Sequence, residues 1–403
     1  MNKSESERLA SYLEFLGAIE SDSVDEADII ILNSCVVRQS AENRVINKLH
    51  SLKSIKKANP NLKIALTGCL VGENLPQLKK NFPFVDHYFV AGEFPDWLGT
   101  YDLDKTIPKN PKVATYIPIM QGCNNYCSYC IVPYRRGRER SRIESDIILE
   151  AGSLISRGVK EITLLGQNVN SYGNDLAGSP DMADLLCKMN ELQGLERIRF
   201  LTNHPKDMKD KIIDAIAGLN KVCEQINLPV QAGDDNILQA MRRGYTSQQY
   251  LNLINKIRDK IPQIALSTDV IVGFPGETDG QFANTYELLE EIRFDMVHVA
   301  AYSPRSGTLA AKTLEDNIPM ETKKARLEAI EKQQGRIVGE INSRLQDTTL
   351  EILVEGLEKG KWFGRTRTDK LVFFQSAKDY QSQLVRVKIK NTTPWSLIGE
   401  VLA

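Results

Sequence analysis

The sequence predicts an α/β protein in three parts. These are an N-terminal α/β domain over residues 1–107, a partial (β/α)6 barrel over 113–340 and a small β-barrel over 341–403. Three observations predict this. Short apolar runs alternate with longer helical segments through most of the chain, as in parallel strands with helical crossovers. The alternation restarts after Pro108-Lys109-Asn110-Pro111-Lys112, whose prolines mark a linker. The last stretch replaces helical periodicity with short β-type runs separated by turn residues.

The elements follow in order. KSESERLASYLEFLG has helical spacing, with Leu9, Tyr12, Leu13 and Leu16 on one face. DIIILNSC (28–35) reads as a buried strand ending at a cysteine, and a polar helix follows to about Lys57. KIALTGC (63–69) and HYFVAG (87–92) are further strands, the first also ending at a cysteine. The six barrel strands are expected in TYIPIMQG (115–122), EITLLGQN (161–168), RIRFLT (197–202), QINLPVQ (225–231), IALSTDVIVGF (264–274) and DMVHVAAYS (295–303). In such barrels function collects at the C-terminal strand ends. A charged helix over about 320–343 connects to the last part. There TLEILVEG, WFGRTRT, KLVFFQ and QLVRVKIK are the strand runs.

Composition narrows the class. With 42% hydrophobic and 26% charged residues, the chain has the make-up of an ordinary soluble protein. No apolar run approaches the ~20 residues of a membrane span. The start MNKSESERLA lacks the apolar core of a secretory signal, so a cytoplasmic protein is expected, and a monomer. Net charge is −1, so any nucleic-acid contact must use local basic patches. Seven cysteines are an odd number for a disulfide framework, and clustered thiols in a reducing compartment point to metal or catalysis.

Cys123, Cys127 and Cys130 lie in QGCNNYCSYCIVPYRRGRERSR, just after the first barrel strand. Three thiolates this close in a loop can face one metal centre. Zinc wants a fourth Cys or His at similar reach, and the nearest histidines are His87 and His204. Iron–sulfur clusters are thiolate-ligated, and three thiolates leave one iron of four open. Gln167, Asn168 and Gln231 end barrel strands and are candidates to hydrogen-bond a ligand. Gly273, Phe274 and Pro275 of GFPGET would bring backbone close to a ligand, or simply make a tight strand-to-helix turn. Cys187 and Cys223 sit in apolar segments and read as core. His298 alternates with valines and is expected to face the barrel interior or to be structural.

Two basic patches stand out. One is Arg135, Arg136, Arg138, Arg140 and Arg142, directly after the cysteine loop. The other is Lys359, Lys361, Arg365, Arg367 and Lys370, beside Trp362 and Phe363. Basic residues with aromatics suit looped RNA, where phosphates are neutralised and bases stack. A solvated charged face is the plainer reading of either patch alone.

The CxxxCxxC spacing after the first of six β/α units resembles the radical S-adenosylmethionine (SAM) superfamily. That resemblance implies a 4Fe-4S cluster on Cys123, Cys127 and Cys130. Its open iron chelates SAM, and one electron cleaves SAM to methionine and a 5′-deoxyadenosyl radical. It also implies that Tyr129 packs near the adenine. LLGQNVNSYG (164–173), LTNHPKDM (201–208), LPVQAGDDNILQAMRRGYT (228–246), STDVIVGFPGET (267–278) and AYSPRSGT (301–308) resemble the MiaB-type tRNA methylthiotransferases within it. EGLEKGKWFGRTRTDKLVFF (355–374) resembles their TRAM domain, an OB-like RNA-binding barrel. Together these imply a methylthio group placed at C2 of N6-isopentenyladenosine beside the tRNA anticodon. One SAM supplies the methyl and another the radical. An unactivated aromatic C–H calls for a radical rather than acid–base chemistry. Implied partners are the tRNA anticodon stem-loop, an electron donor such as flavodoxin or ferredoxin, and an unspecified sulfur donor.

The family's N-terminal domain carries three cysteines for a second 4Fe-4S cluster. Cys35, in LNSCVVRQSAENR, and Cys69, in LTGCL, match two. The third belongs to a Gly-Cys-Gln-Met-Asn run whose end resembles Met1-Asn2, which puts it, with the domain's first strand, ahead of Met1. The resemblance favours a longer native N-terminus. The chain as written is expected to hold one stable cluster and to cleave SAM without thiolating RNA. Rival readings are a methylthiotransferase for threonylcarbamoyl-adenosine tRNA or a ribosomal-protein aspartate, a non-catalytic RNA-binding protein, and a zinc protein.

Overall fold

The structure is a computed structural model that describes residues 1–36, 39–72 and 75–402. Val37 and Arg38 of the LNSCVVRQSAENR run lie outside the described residues, as does Ala403. No helix among the described residues is long and apolar enough to cross a membrane.

The chain opens with a helix, Asn2–Phe15, followed by β1 (Ile29–Ser34), a helix Gln39–Ala58, β2 (Lys63–Gly68) and β3 (His87–Tyr88). These strands form one parallel sheet in the order β1-β2-β3. Leu9 and Tyr12 of the first helix are buried as expected, but Leu16 is exposed because the helix ends there. The expectation of a buried strand fails at β1. It pairs on one edge only, and its side chains are mostly half-buried. Central β2 is the buried one.

The barrel strands are β4 (Ala114–Pro118), β7 (Glu161–Leu165), β8 (Arg197–Phe200), β9 (Gln225–Asn227), β10 (Ala265–Val272) and β11 (Met296–Ala301). Between the first two lies a short hairpin of β5 (Met120–Gln121) and β6 (Arg140–Ser141) that flanks the cysteine loop. The parallel strands run in chain order as β4-β7-β8 and β9-β10-β11, joined by an Ile198–Val222 bridge. Helices cover the outside. Their apolar faces and the outward strand residues, including Ile162, Leu164, Ile198, Phe200 and Leu266, make the largest core. The strand residues that line the barrel interior include many polar ones: Gln225, Asn227, Ser267, Asp269 and His298. A strand that is polar on one face and apolar on the other reads as a cavity wall.

The helix Met320–Ser343 leads to a closed five-stranded barrel. It is built from β12 (Thr349–Glu358), β13 (Lys361–Thr366), β14 (Leu371–Phe374), β15 (Leu384–Thr392) and β16 (Leu397–Val401). Closure leaves no open edge. Its fifth strand, β16, falls outside the four runs read from sequence and pairs parallel with β14.

This small barrel docks across the N-terminal ends of the large barrel's strands through arginines. Arg199 bonds Glu161 at 2.9 Å and donates to the carbonyls of Arg367 (2.8 Å) and Thr366 (2.7 Å). Arg197 donates to the Arg365 carbonyl (2.6 Å) and pairs with Glu351 (3.0 Å). Arg367 reaches back to Glu224 (2.7 Å) and the Asn220 carbonyl (3.0 Å), and Lys370 meets Asp295 (2.6 Å). Backbone carbonyls at the end of β13 and in the turn after it are thus satisfied by buried guanidinium groups.

Candidate active site

Two cysteine sets converge on one cavity for identifiable backbone reasons. In the first set, the parallel register pairs Ser34 with Gly68, so Cys35 and Cys69 leave neighbouring strands at the same level. The Cys69 N–H donates to the Ser34 carbonyl at 2.9 Å. Gly68, at φ +91°, allows this approach, because a Cβ there would lie 2.3 Å from that oxygen. In the second set, Gly122, at φ +78°, lets the Arg138 carbonyl close the neck of the cysteine loop, where a Cβ would meet that oxygen at 2.0 Å. The Cys123 N–H then bonds the Gly137 carbonyl (3.2 Å). The loop is pinned from below by Ser128, whose Oγ donates to the Ala240 carbonyl (2.7 Å).

All five of these cysteines line a single cavity of about 990 Å³. It runs through the barrel interior down to Arg365, Thr368 and Lys370 of the C-terminal barrel. None of the cysteines is in a disulfide. Burial pushes the Cys123 thiol up to about 11 and the Cys130 thiol up to about 12, with the Asn125 N–H pulling against the shift at Cys123. A metal centre displaces such protons when thiolates become its ligands. Among the described residues, no three His, Cys, Asp or Glu side chains are grouped to hold a single metal ion. A four-iron cluster is a larger body and takes more widely spread thiolates.

The buried polar atoms on the wall that have no partner include Gln167 Oε1, Asn203 Oδ1, His204 Nε2 and Gln225 Oε1. Buried polar groups are normally satisfied, so unpaired ones around a cavity mark where a ligand bonds. His204 Nδ1 accepts from the Lys206 N–H (3.3 Å), which leaves the hydrogen on Nε2. Burial, reinforced by Arg243 and Lys206, pushes its pKa down to about 2, so it is a neutral donor. Thr202 and Gln231 line the cavity in left-handed backbone, at φ +69° and +74°, a strain typical of functional sites. Free acceptors, a histidine donor, strained backbone and thiols are what a polar cofactor such as SAM and a thiolate-held cluster require.

Comparison with known proteins agrees with this geometry. Residues 117–289 match the radical SAM superfamily, residues 344–402 the TRAM domain, and residues 1–90 the uncharacterized protein family UPF0004. A tRNA-2-methylthio-N(6)-dimethylallyladenosine synthase of Dehalococcoides mccartyi strain CBDB1 is 52% identical over 402 residues, covering 100% of this chain and 96% of that protein. The chain belongs to the radical SAM tRNA methylthiotransferase family. A synthase of the same name from Roseiflexus sp. strain RS-1 is 47% identical, covering 99% of this chain and 87% of that protein. Among solved structures, the cobalamin-dependent SAM radical enzyme OxsB superposes with a TM-score of 0.49 at 12% identity, over 82% of this chain and 53% of that one.

Within this family frame, the structure redistributes the residues singled out from sequence. Tyr129, Gln167 and Gln231 line the cavity with the cysteines, and so does His298. Asn168 does not. It is buried behind the wall, its Nδ2 donating to Asp207 at 2.7 Å. Gly273, Phe274 and Pro275 also stay out of the cavity. Gly273 is at φ +67° and the Lys323 side chain passes over it, so that a Cβ would lie 2.4 Å from Lys323 Cγ. Phe274 packs edge-on to Tyr302 in the core. GFPGET makes a tight strand-to-helix turn here.

The basic patches divide in the same way. Arg136 is buried, donating to Glu5 (2.8 Å), Asn2 (2.8 Å) and Cys69 Sγ (3.2 Å), so it joins the two cysteine sets instead of facing RNA. Arg367 and Lys370 are spent on the interdomain dock. Arg365 is held by Asp369 (3.1 Å) and Glu355 (3.5 Å) beside the cavity. Arg135 is half-buried, whereas Arg138, Arg140 and Lys361 are exposed. Cys187 is exposed, not core, since it sits on the outer face of its helix, while Cys223 is buried. Sequence reading missed Arg305, which lines the cavity and pairs with Gln39 (2.6 Å) and Glu42 of the N-terminal domain. It also missed Arg243, whose Nη1 lies 3.3 Å from Cys127 Sγ. Each lies inside a motif, AYSPRSGT or QAMRRGYT, that was already noted as a whole.

Proposed function

We propose that this protein places a methylthio group at C2 of N6-isopentenyladenosine, next to the anticodon of tRNA. The observation that carries the reading is the shared cavity, lined by Cys35 and Cys69, by Cys123, Cys127 and Cys130, and by the barrel's polar ring. When bound, a 4Fe-4S cluster with SAM supplies one-electron cleavage chemistry able to act on an aromatic C–H.

The chain's own residues bind, orient and exclude water. Cys123, Cys127 and Cys130 hold the cluster that takes SAM. Gln167, Asn203, Gln225 and the neutral His204 offer hydrogen bonds to SAM and the base, and Tyr129 packs against them. Cys35 and Cys69 would supply two of the ligands of a second 4Fe-4S cluster, the source of sulfur chemistry when bound. The C-terminal barrel closes the far end of the cavity, which keeps reactive species from bulk water. Arg138, Arg140, Lys359 and Lys361 are the exposed cations of the two patches left to meet the tRNA anticodon stem-loop. We read residues 1–107, 113–340 and 341–403 as the domains of a cytoplasmic monomer that draws electrons from flavodoxin or ferredoxin.

Mass spectrometry of tRNA nucleosides tests this. A strain lacking the gene should accumulate N6-isopentenyladenosine without its 2-methylthio form, and the restored gene should reverse the loss. Loss of the 2-methylthio form of threonylcarbamoyl-adenosine instead would assign the alternative substrate.

A further inference from the structure

We propose that Arg243 is the counter-charge of the cluster held by Cys123, Cys127 and Cys130, and that it raises the cluster's reduction potential through Cys127. This rests on reading those cysteines as cluster ligands. Six arginines are buried among the described residues: Arg136, Arg197, Arg199, Arg243, Arg305 and Arg326. Five pair with a carboxylate, namely Glu5, Glu351, Glu161, Glu42 and Glu277. Arg243 alone is bonded to none. Its Nε donates to the Tyr245 hydroxyl (2.9 Å) and its Nη2 to the Pro229 carbonyl (2.8 Å). Its Nη1 points at Cys127 Sγ (3.3 Å) and the Tyr129 hydroxyl (3.5 Å).

A guanidinium in a dry site without a counter-ion is costly. No acid among the described residues supplies one. Three cluster thiolates outweigh the positive charge of an oxidised four-iron core, and reduction adds another negative charge. A bound cluster therefore completes the missing pair. A cation bonded to a ligand sulfur stabilises the more negative, reduced state and so raises the potential. Arg243 is thus a positioning residue, acting through Cys127, that makes the cluster easier to reduce.

The test is a redox titration of the reconstituted protein, followed by electron paramagnetic resonance, first without SAM. Arg243→Met should lower the reduced-to-oxidised ratio at fixed solution potential at least tenfold, equivalent to about 59 mV for one electron. Because the substitution strands no carboxylate, the metal-free variant should keep its fold. Tyr245→Phe removes the hydroxyl that orients the guanidinium but keeps the charge. It should shift the ratio the same way by less, and it serves if Arg243→Met takes up no cluster. A change under twofold in a fully loaded variant would overturn the proposal. So would a shift that appears only after SAM is added, which would make Arg243 a SAM contact instead. If the unaltered protein takes up no four-iron cluster, the underlying cysteine reading fails, not this inference from it.

Discussion

Breaking the dock at Arg199 tests how firmly the C-terminal barrel closes the cavity. Arg199→Met removes a guanidinium whose side chain is 4% exposed from a carboxylate, Glu161, that is 6% exposed. It also strips hydrogen bonds from the Thr366 and Arg367 carbonyls. Removing one partner of a buried pair strands the other charge and costs about 3–5 kcal/mol, far more than the pair's net worth. The exposed pair Arg336–Glu340, at 48% and 46% exposure, is the control, and cutting it should leave the midpoint nearly unchanged. Urea unfolding of the metal-free protein, with limited proteolysis near residues 341–348, reads both effects. Arg199→Met should lower the midpoint and speed cleavage there. Arg199→Met with Glu161→Leu should recover part of the loss, since no carboxylate is then stranded. A loss under about 1 kcal/mol with unchanged cleavage would refute the claim that buried arginines hold the two barrels together.

Other consequences are equally open to measurement. Gly122→Ala puts a Cβ against the Arg138 carbonyl, so the cysteine loop should open and iron bound after reconstitution should fall well below that of the unaltered protein. His204 is neutral in the fold down to about pH 2 but takes up a proton near 6.5 when unfolded. Its contribution is complete above 6.5 and is lost as pH falls below it, by about 1.4 kcal/mol at one unit lower. His204→Gln should flatten that slope in urea unfolding, and an identical slope would count against a buried neutral histidine. Arg138→Glu with Lys361→Glu should weaken anticodon stem-loop binding and lower its salt slope by roughly one or two, whereas unchanged binding would move the RNA surface elsewhere.

Much of the fold was legible because it depends on local patterns. Strand runs ending at Cys35, Cys69 and the 123–130 loop already place thiols at strand ends, where parallel sheets gather function. What was hidden depends on distant partners. Nothing in RTRTDK shows that Arg367 meets Glu224, or that Arg199 binds carbonyls more than 160 residues away. A run of arginines looks alike whether it meets phosphate or buried acid, so nothing in it shows that Arg136 turns inward to Glu5 and Cys69. The surroundings of Gly273 were hidden for a similar reason, since the atom that its Cβ would meet belongs to Lys323, on a helix far along the chain. Strand β16 was overlooked because its pairing with β14 is non-local.

The most direct test of the whole account is 5′-deoxyadenosine formation. The protein is reconstituted with iron and sulfide without oxygen, reduced, and given SAM. The account predicts 5′-deoxyadenosine and methionine from the unaltered protein, and neither from Cys127→Ala. A fully iron-loaded protein that leaves SAM intact, or a Cys127→Ala variant that cleaves it equally well, would contradict the account at its centre.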